Sequence, residues 1–373
     1  MPENYPRISF NREGICNLCM GYEPREYLGK EKLIELLNSR EKRGEYDCVV
    51  PLSGGKDSTY ILYYATKELG LSCIAVSYDS GFQIDCAREN VSKVCKKLGV
   101  PLVLRKSPGD VQSNLLREVL LLSRRLGFLL DVCGNCEVIL RTVSIHVARA
   151  YEVPFVLWGS SALESHDGAG HERHRFGKRE EVCLVPSSIK TRVFLKVLTK
   201  IFPRISANNL SNFRRVLEDP RKRIHKAVFQ IGYHSVKYLL LLITQRVLMD
   251  VPLKYALIPY SVLPFTESNP TFVHFFNYVA WDSIASIKLL EDELDWKRPE
   301  NRLARFDCAL HSLGNYAHLK SFNISNDGVS FCNFVREKRM TREEAALAER
   351  GIQDSVDKEC DEIRKRVGLR DLW

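Results

Sequence analysis

Short apolar runs alternate with longer amphipathic stretches along the first 165 positions of the chain. The run from Tyr46 to Pro51 has the length and apolar content of a buried strand. The stretch from Asp57 to Leu69 repeats with a helical period and puts Tyr60, Ile61, Tyr64, Ala65 and Leu69 on one side. The alternation continues with a strand in SCIAVSYDS, a helix in DCARENVSKVCKKLG and a strand in PLVLRKS. A helical stretch from about Val111 to Leu126, a helix in CEVILRTVSIHVARAYE and a strand in PFVLWGSS complete the series. Elements in this order predict an α/β fold, a doubly wound parallel sheet with helices on both faces. Ligands of such sheets bind at the C-terminal ends of the strands.

After Ser165 the pattern changes. HDGAGHERHRFGKREE is polar and predicts a loop over the site; its His166, His171 and His174 read as solvent-facing before they read as metal ligands. Helical pieces follow, the most apolar being KYLLLLITQRVLM, which is too short to span a bilayer and predicts a buried or membrane-surface helix. From FVHFFNYVAWDSIASIKLLEDELDW onward the chain reads as mainly helical, with Thr341 and Glu344 spaced as a capping box. Four segments result: an N-terminal cysteine-pair segment (1–45), the α/β domain (46–165), a polar loop with a basic helical insertion (166–270) and a helical C-terminal region (271–373).

Composition narrows the function classes. A chain of 373 residues with 45% hydrophobic and 27% charged residues is ordinary for a globular protein and argues against an integral membrane protein. MPENYPRISFNREG lacks the basic-then-apolar order of a secretory signal, so a cytoplasmic enzyme is expected. The net charge of +9 is concentrated: the stretch from Lys190 to Lys254 carries fourteen Lys and Arg against Glu218, Asp219 and Asp250. Such a block suits an anionic partner, whether RNA, a nucleotide-linked or lipid-linked sugar, or a membrane surface; a solvated helical face is the plain alternative. Among twelve cysteines, four form C-x-x-C pairs, Cys16/Cys19 and Cys133/Cys136, which in a reducing compartment read as metal, cluster or redox sites before structural bridges.

The chemistry concentrates in PLSGGKDSTYILYY. A Walker loop needs four residues between its first Gly and its Gly-Lys-Ser/Thr. Here Gly54 and Gly55 are adjacent and Lys56 is followed by Asp57, so the Walker reading fails. What remains is a strand ending in Ser53-Gly54-Gly55 with Lys56-Asp57-Ser58 opening a helix, which offers backbone N–H groups and a positive dipole end to an anion. SGGKDS resembles the pyrophosphate loop of the PP-loop ATP pyrophosphatase (adenine nucleotide α-hydrolase) superfamily, whose members split ATP to AMP and pyrophosphate on a Rossmann-like, HUP-type sheet. The resemblance implies that Ser53, Gly54, Gly55, Asp57 and Ser58 hold the pyrophosphate and that Lys56 screens its charge; the alternative role for Asp57 is to place Mg²⁺ instead, because an anion beside pyrophosphate is unfavourable without a cation nearby. The resemblance further implies that Asp79, in SYDSG, lies where such enzymes contact adenosine, and that Gly159, in WGSSALES, lines the substrate side. Ser160 stands where a His is usual, and Glu164 is either a Mg²⁺ or substrate contact or an ordinary surface carboxylate.

The cysteine pairs point in two directions. DVCGNCEVILRTVSIHVARA is similar to the C-x-x-C of iron–sulfur-dependent tRNA-thiolation enzymes, which implies a [4Fe–4S] cluster on Cys133, Cys136 and a distant third cysteine. Cys308 is the candidate, with Cys183 and Cys332 behind it; zinc, a redox pair or simple burial are the alternatives. ISFNREGICNLCMGYE, WDSIASIKLLEDELDW and MTREEAALAERG resemble N-acetyl sugar amidotransferases, PP-loop enzymes of surface-polysaccharide synthesis that work with a glutaminase. Their usual upstream C-x-x-C is absent, so Cys16 and Cys19 form half a zinc ribbon or a metal-free turn.

Two enzyme readings follow: an ATP-dependent sulfurtransferase that adenylates a carbonyl oxygen and replaces it with sulfur from a donor, and an amidotransferase that uses ammonia from a partner glutaminase. Cys133, Cys136, Lys56 and Asp57 carry the chemistry in the first, which the sequence favours because CGNC lies inside the α/β domain. A homodimer is compatible with either. A non-catalytic nucleotide-binding module is the third reading, against which an intact SGGKDS argues.

Overall fold

The computed structural model describes residues 1–5, 8–41, 44–107, 110, 112–114, 116–117, 120–121, 134–159, 163, 270–280, 282–299 and 307–369. These all belong to one compact unit, Met1–His171 with Leu242–Trp373. Its centre is a parallel five-stranded sheet in the order β3-β2-β1-β4-β5, with β1 at Cys48–Pro51, β2 at Cys73–Asp79, β3 at Leu102–Lys106, β4 at Phe155–Trp158 and β5 at Thr271–His274. Every residue of β1 and β4 is buried, which explains why these strands read as unbroken apolar runs: helices cover both faces.

Helices are present at the predicted DCARENVSKVCKKLG and CEVILRTVSIHVARAYE, and the expected helical stretch from about Val111 to Leu126 lies largely outside the described residues. In chain order the helices are α1 (Asn17–Met20), α2 (Lys30–Asn38), α3 (Lys56–Tyr63, running on as a π-helical turn over Tyr64–Glu68), α4 (Asp85–Leu98) and α5 (Gly134–Ala150). After β5 come α6 (Ser283–Leu294), α7 (His311–Phe322), α8 (Asn326–Arg336) and α9 (Arg342–Arg366). One face of the sheet packs on Ile139, Val143, Val147 and Ala148 of α5. The other buries Ile61, Leu62 and Ala65 from α3 and its π turn, Val91, Val94 and Cys95 of α4, and Leu290 and Leu294 of α6. Gly99 closes α4 in the left-handed region at φ 67°, the ordinary use of glycine after a helix.

Two differences from the expected elements matter. The sequence pattern from 271 onward predicts mainly helix, but Thr271–His274 pairs in parallel with β4, from Phe155↔Thr271 to Trp158↔His274. Four residues carry too short a pattern to distinguish strand from helix, so only the pairing reveals it. The expected helix from 57 to 69 begins at Lys56 and widens to π geometry at Tyr64, where Leu69 N donates to Tyr64 O at 3.0 Å. The predicted capping box is present, with Thr341 Oγ1 accepting from Glu344 N at 3.1 Å and Glu344 Oε2 from Thr341 N at 2.8 Å.

Strand order fixes the site. From β1 the chain steps one way to β2 and β3, whereas β4 lies on the other side of β1. The loop after β1 therefore sits at the reversal of the sheet, where its flanking connections diverge and leave a crevice. SGGKDS is that loop.

Candidate active site

The loop is held by its own hydroxyls. Ser53 Oγ lies 3.1 Å from Ser58 Oγ, Ser53 N donates to Ser58 Oγ at 3.1 Å, and Gly55 N donates to Ser53 Oγ at 3.3 Å. Gly54 is at φ 83°, and a Cβ there would stand 2.1 Å from the carbonyl oxygen of Ala87 in α4, so glycine is required on both conformational and steric grounds. Gly55 is the N-cap of α3 and supplies no side-chain cap, which leaves the opening of the helix to an incoming anion. Lys56 Nζ pairs with Asp57 Oδ2 at 3.0 Å; their side chains are only 7% and 21% exposed. Desolvating both charges is costly, and the pair offsets that cost. Gly159, just past β4, packs beside α3: a Cβ there would stand 3.0 Å from Ile61 Cδ1 and 3.9 Å from Ser58 Cα.

Residues remote in sequence close around the same loop. The Gly54 carbonyl accepts from Trp296 Nε1 at 2.9 Å and from Asn90 Nδ2 at 3.3 Å. Gln83 Nε2 donates to Ser53 O at 2.6 Å, and Gln83 forms an antiparallel bridge with Cys308. Ile84 N donates to Asp307 O at 3.2 Å and Ala309 N to Phe82 O at 2.9 Å. These bonds carry Asp307 to the loop: a Cβ on Gly55 would stand 3.4 Å from Asp307 Cβ and 3.5 Å from its carboxyl carbon. Sequence reasoning did not place Asn90, Trp296 or Asp307 at the loop: Trp296 closes a segment that carries only a family resemblance, and the bonds of these residues join elements far apart in the chain.

Asp79 is placed at the end of β2 as expected, where it shapes a turn. Its Oδ1 accepts from Gly81 N at 2.8 Å and its Oδ2 lies 3.4 Å from Arg88 Nε. The end of α9 reaches this turn, with the Arg366 guanidinium bonded to Gly81 O and 4.3 Å from the Phe82 ring centroid.

The cysteine expectations fare differently. Cys136 lies in the first turn of α5, its Sγ accepting from Gln112 Nε2 at 3.5 Å, while Tyr78 OH donates to Gln112 Oε1 at 3.4 Å. Burial, with the neighbouring Cys136 adding to it, pushes the Tyr78 phenol up to about 12. Cys133 and Cys183 lie outside the described residues, as do Ser160, Glu164, the three histidines of the polar loop and the whole 190–254 block. Cys308 sits beside Gln83. Cys16 caps α1 and accepts from Cys19 N at 2.9 Å. Burial raises both thiols of this pair, but at Cys16 the bonds from Cys19 and the charge of Arg336 prevail and hold it below the ordinary thiol range; Cys19 stays above it. Cys332 lies on α8, where its Sγ is 3.8 Å from the N-terminal amine. Among the described residues no three His, Cys, Asp or Glu side chains are grouped so as to hold a metal ion. The described residues thus lend no support to a zinc site at Cys16 and Cys19, and the proposed cluster set of Cys133, Cys136 and Cys308 includes a cysteine that lies outside them. Nor is any described helix long and apolar enough to cross a membrane.

No family model matches the chain. Over 62 residues it is 45% identical to tRNA(Ile)-lysidine synthase of Nitratidesulfovibrio vulgaris, covering 15% of this chain and 18% of that protein. This likeness supports the PP-loop superfamily. Two uncharacterized proteins of Methanocaldococcus jannaschii are also similar, one 30% identical over 101 residues (26% of this chain, 36% of the relative), the other 28% identical over 142 residues (38% and 44%). The chain thus spans less than half the length of these PP-loop-like and uncharacterized relatives. Among solved structures, NMN synthetase from Francisella tularensis aligns over 36% of this chain and 56% of its own at 21% identity, with a TM-score of 0.27. The fold is accordingly read from the sheet itself.

Proposed function

We propose that this chain is an ATP-dependent, AMP-forming PP-loop enzyme. The observation that carries the reading is the position of SGGKDS, a glycine loop and helix N-terminus at the reversal point of a parallel sheet. In the reaction a carbonyl oxygen of the acceptor attacks the α-phosphorus of ATP, the bond to the β-phosphate oxygen breaks and pyrophosphate leaves. A nucleophile then adds at the activated carbon and expels AMP, which carries away the former carbonyl oxygen. Ser53, Ser58 and the amides opening α3 bind the departing pyrophosphate, and Lys56 offsets its charge. Asp57 is the carboxylate that would hold Mg²⁺, and the ion would supply neutralisation of the charge on the leaving group.

For the nucleophile we favour nitrogen. The segment LEDELDW, which resembles the amidotransferases, is no peripheral feature, since its Trp296 donates to the carbonyl of the loop. An acetamido sugar is the acceptor class this resemblance suggests, with ammonia from a glutaminase. Cys136, at the start of α5 beside Tyr78 on β2, favours sulfur transfer as the second reading.

The test is radiolabelled ATP turnover with N-acetyl sugar nucleotides, supplied in turn with ammonium and with sulfide. Release of AMP and pyrophosphate dependent on ammonium is expected, and Lys56→Ala should lower it by roughly a hundredfold or more. Release of ADP would overturn the AMP-forming chemistry. Turnover with sulfide alone, abolished in Cys136→Ala, would replace nitrogen with sulfur.

A further inference from the structure

A loop that binds a polyanion must present amide N–H groups and keep its carbonyl oxygens turned away, because each oxygen carries partial negative charge. Adjacent glycines make this difficult to guarantee. Glycine adopts φ of either sign at similar cost, so a flip of the Gly54–Gly55 peptide meets little intrinsic resistance. Such a flip would swing the Gly54 oxygen toward the phosphate side of the loop and break the bond from Gly55 N to Ser53 Oγ. Within the loop that 3.3 Å bond opposes the flip, and the partners of the oxygen itself come from outside the loop.

The structure holds two donors on that oxygen. Trp296 Nε1 donates at 2.9 Å from the segment after α6, and Asn90 Nδ2 donates at 3.3 Å from α4. Both side chains are buried, Trp296 at 2% and Asn90 at 1% exposure, so withdrawal of the carbonyl would take a partner from donors that water does not reach. Asn90 also clamps the neighbouring backbone: its Nδ2 donates to Lys297 O at 2.8 Å and its Oδ1 accepts from Lys297 N at 3.0 Å. The indole is therefore held where it meets the loop, with α4 as the common support.

We propose that Trp296 and Asn90 are positioning residues of the loop, which lock the Gly54 carbonyl inward and so keep the loop amides facing the pyrophosphate portion of ATP. The proposal rests on the PP-loop reading of the site. It makes a prediction that general destabilisation does not: the lock acts on the pyrophosphate subsite and leaves the rest of the nucleotide site unchanged.

The experiment is calorimetric titration of the full chain, wild type and Trp296→Phe, with inorganic pyrophosphate, ATP and AMP, each with Mg²⁺. Phenylalanine keeps a ring in the pocket and removes the indole donor. Affinity for pyrophosphate and ATP should fall about tenfold, the scale of one lost hydrogen bond, while AMP affinity stays within about twofold. Unchanged pyrophosphate affinity in a folded Trp296→Phe protein, or an equal loss for all three ligands, overturns the lock. Should Trp296→Phe fail to fold, the same comparison on Asn90→Ser decides, since it leaves the indole in place and must show the same selective loss. A wild-type protein that binds neither ATP nor pyrophosphate defeats the reading of the site, and the lock with it.

Discussion

The glycine loop and the groups that hold it are built in opposite ways. Ser53 and Ser58 fasten the loop from five positions apart, through hydroxyl and amide contacts of 3.1 Å. Trp296 fastens the same loop from 242 positions away. The first kind of contact forms as soon as the strand-turn-helix forms. The second requires the sheet, α4 and α6 to be packed together, and it carries the larger loop-closure cost. The local contacts thus give the loop its shape and hold the N–H side of the Gly54–Gly55 peptide, and the distant ones hold its carbonyl.

The largest expected effect comes from breaking both kinds at one residue. Gly54→Ala adds a Cβ 2.1 Å from Ala87 O and forces a side chain into the left-handed region at φ 83°. Ala87 belongs to α4 and cannot move without its helix. We expect a loss on the order of 3 kcal/mol of stability together with loss of pyrophosphate release. Urea denaturation read beside an ATP turnover assay checks it. A variant of unchanged stability and turnover would mean that the loop relaxes freely and that α4 does not support it.

This contrast also explains what could be read from the chain beforehand. The strands at Cys48–Pro51 and Phe155–Trp158 were legible because burial on both faces demands unbroken apolar runs. Gly54, Lys56 and Ser58 were legible because the anion-binding turn uses contiguous residues. The loop contacts of Asn90 and Trp296 were not, because an apolar-face asparagine satisfies ordinary packing patterns equally well and the resemblance carried by WDSIASIKLLEDELDW does not say what its last Trp touches. Asp307 was passed over for its neighbour Cys308, whose residue type drew attention; the carbonyl of Asp307 and the backbone bridge of Cys308 are what dock this segment against Phe82–Ile84. β5 escaped notice because four residues leave no period to measure.

A smaller effect separates long-range burial from the site. Cys95 on α4 and Cys360 on α9 are both pushed up to about 12 from an ordinary 9.0, in each case chiefly by burial. A thiol whose folded value is raised keeps a proton that the unfolded chain releases, so its contribution is full below pH 9 and declines as pH rises toward 12. Stability should therefore hold level from neutrality to about pH 9 and then fall, with the buried Tyr78 phenol adding to the slope above pH 10. Cys360→Ala should cost about 1 to 2 kcal/mol at neutral pH and shallow the alkaline decline. Urea midpoints at intervals from pH 7 to pH 11 measure both, and parallel curves for wild type and variant would remove burial of Cys360 as a cause.

The smallest effect tests a local contact far from the loop. Along α9, Ile352, Val356, Cys360 and Ile363 are buried at helical spacing, so the helix is held chiefly by that face and its capping box contributes at one end. In the box Thr341 Oγ1 accepts from Glu344 N, and the bond from the Thr341 amide holds the Glu344 carboxyl below the usual carboxylate range. Thr341→Ala removes the cap and should cost about 1 kcal/mol, seen as a shifted urea midpoint. Nucleotide turnover should remain at the wild-type rate. The opposite end of α9 touches the Asp79 turn through Arg366, so fraying transmitted along its 25 residues would appear as weaker ATP binding. An unchanged ATP affinity in Thr341→Ala shows that the buried face isolates the two ends; a loss shows that a contact local in sequence reaches the site after all.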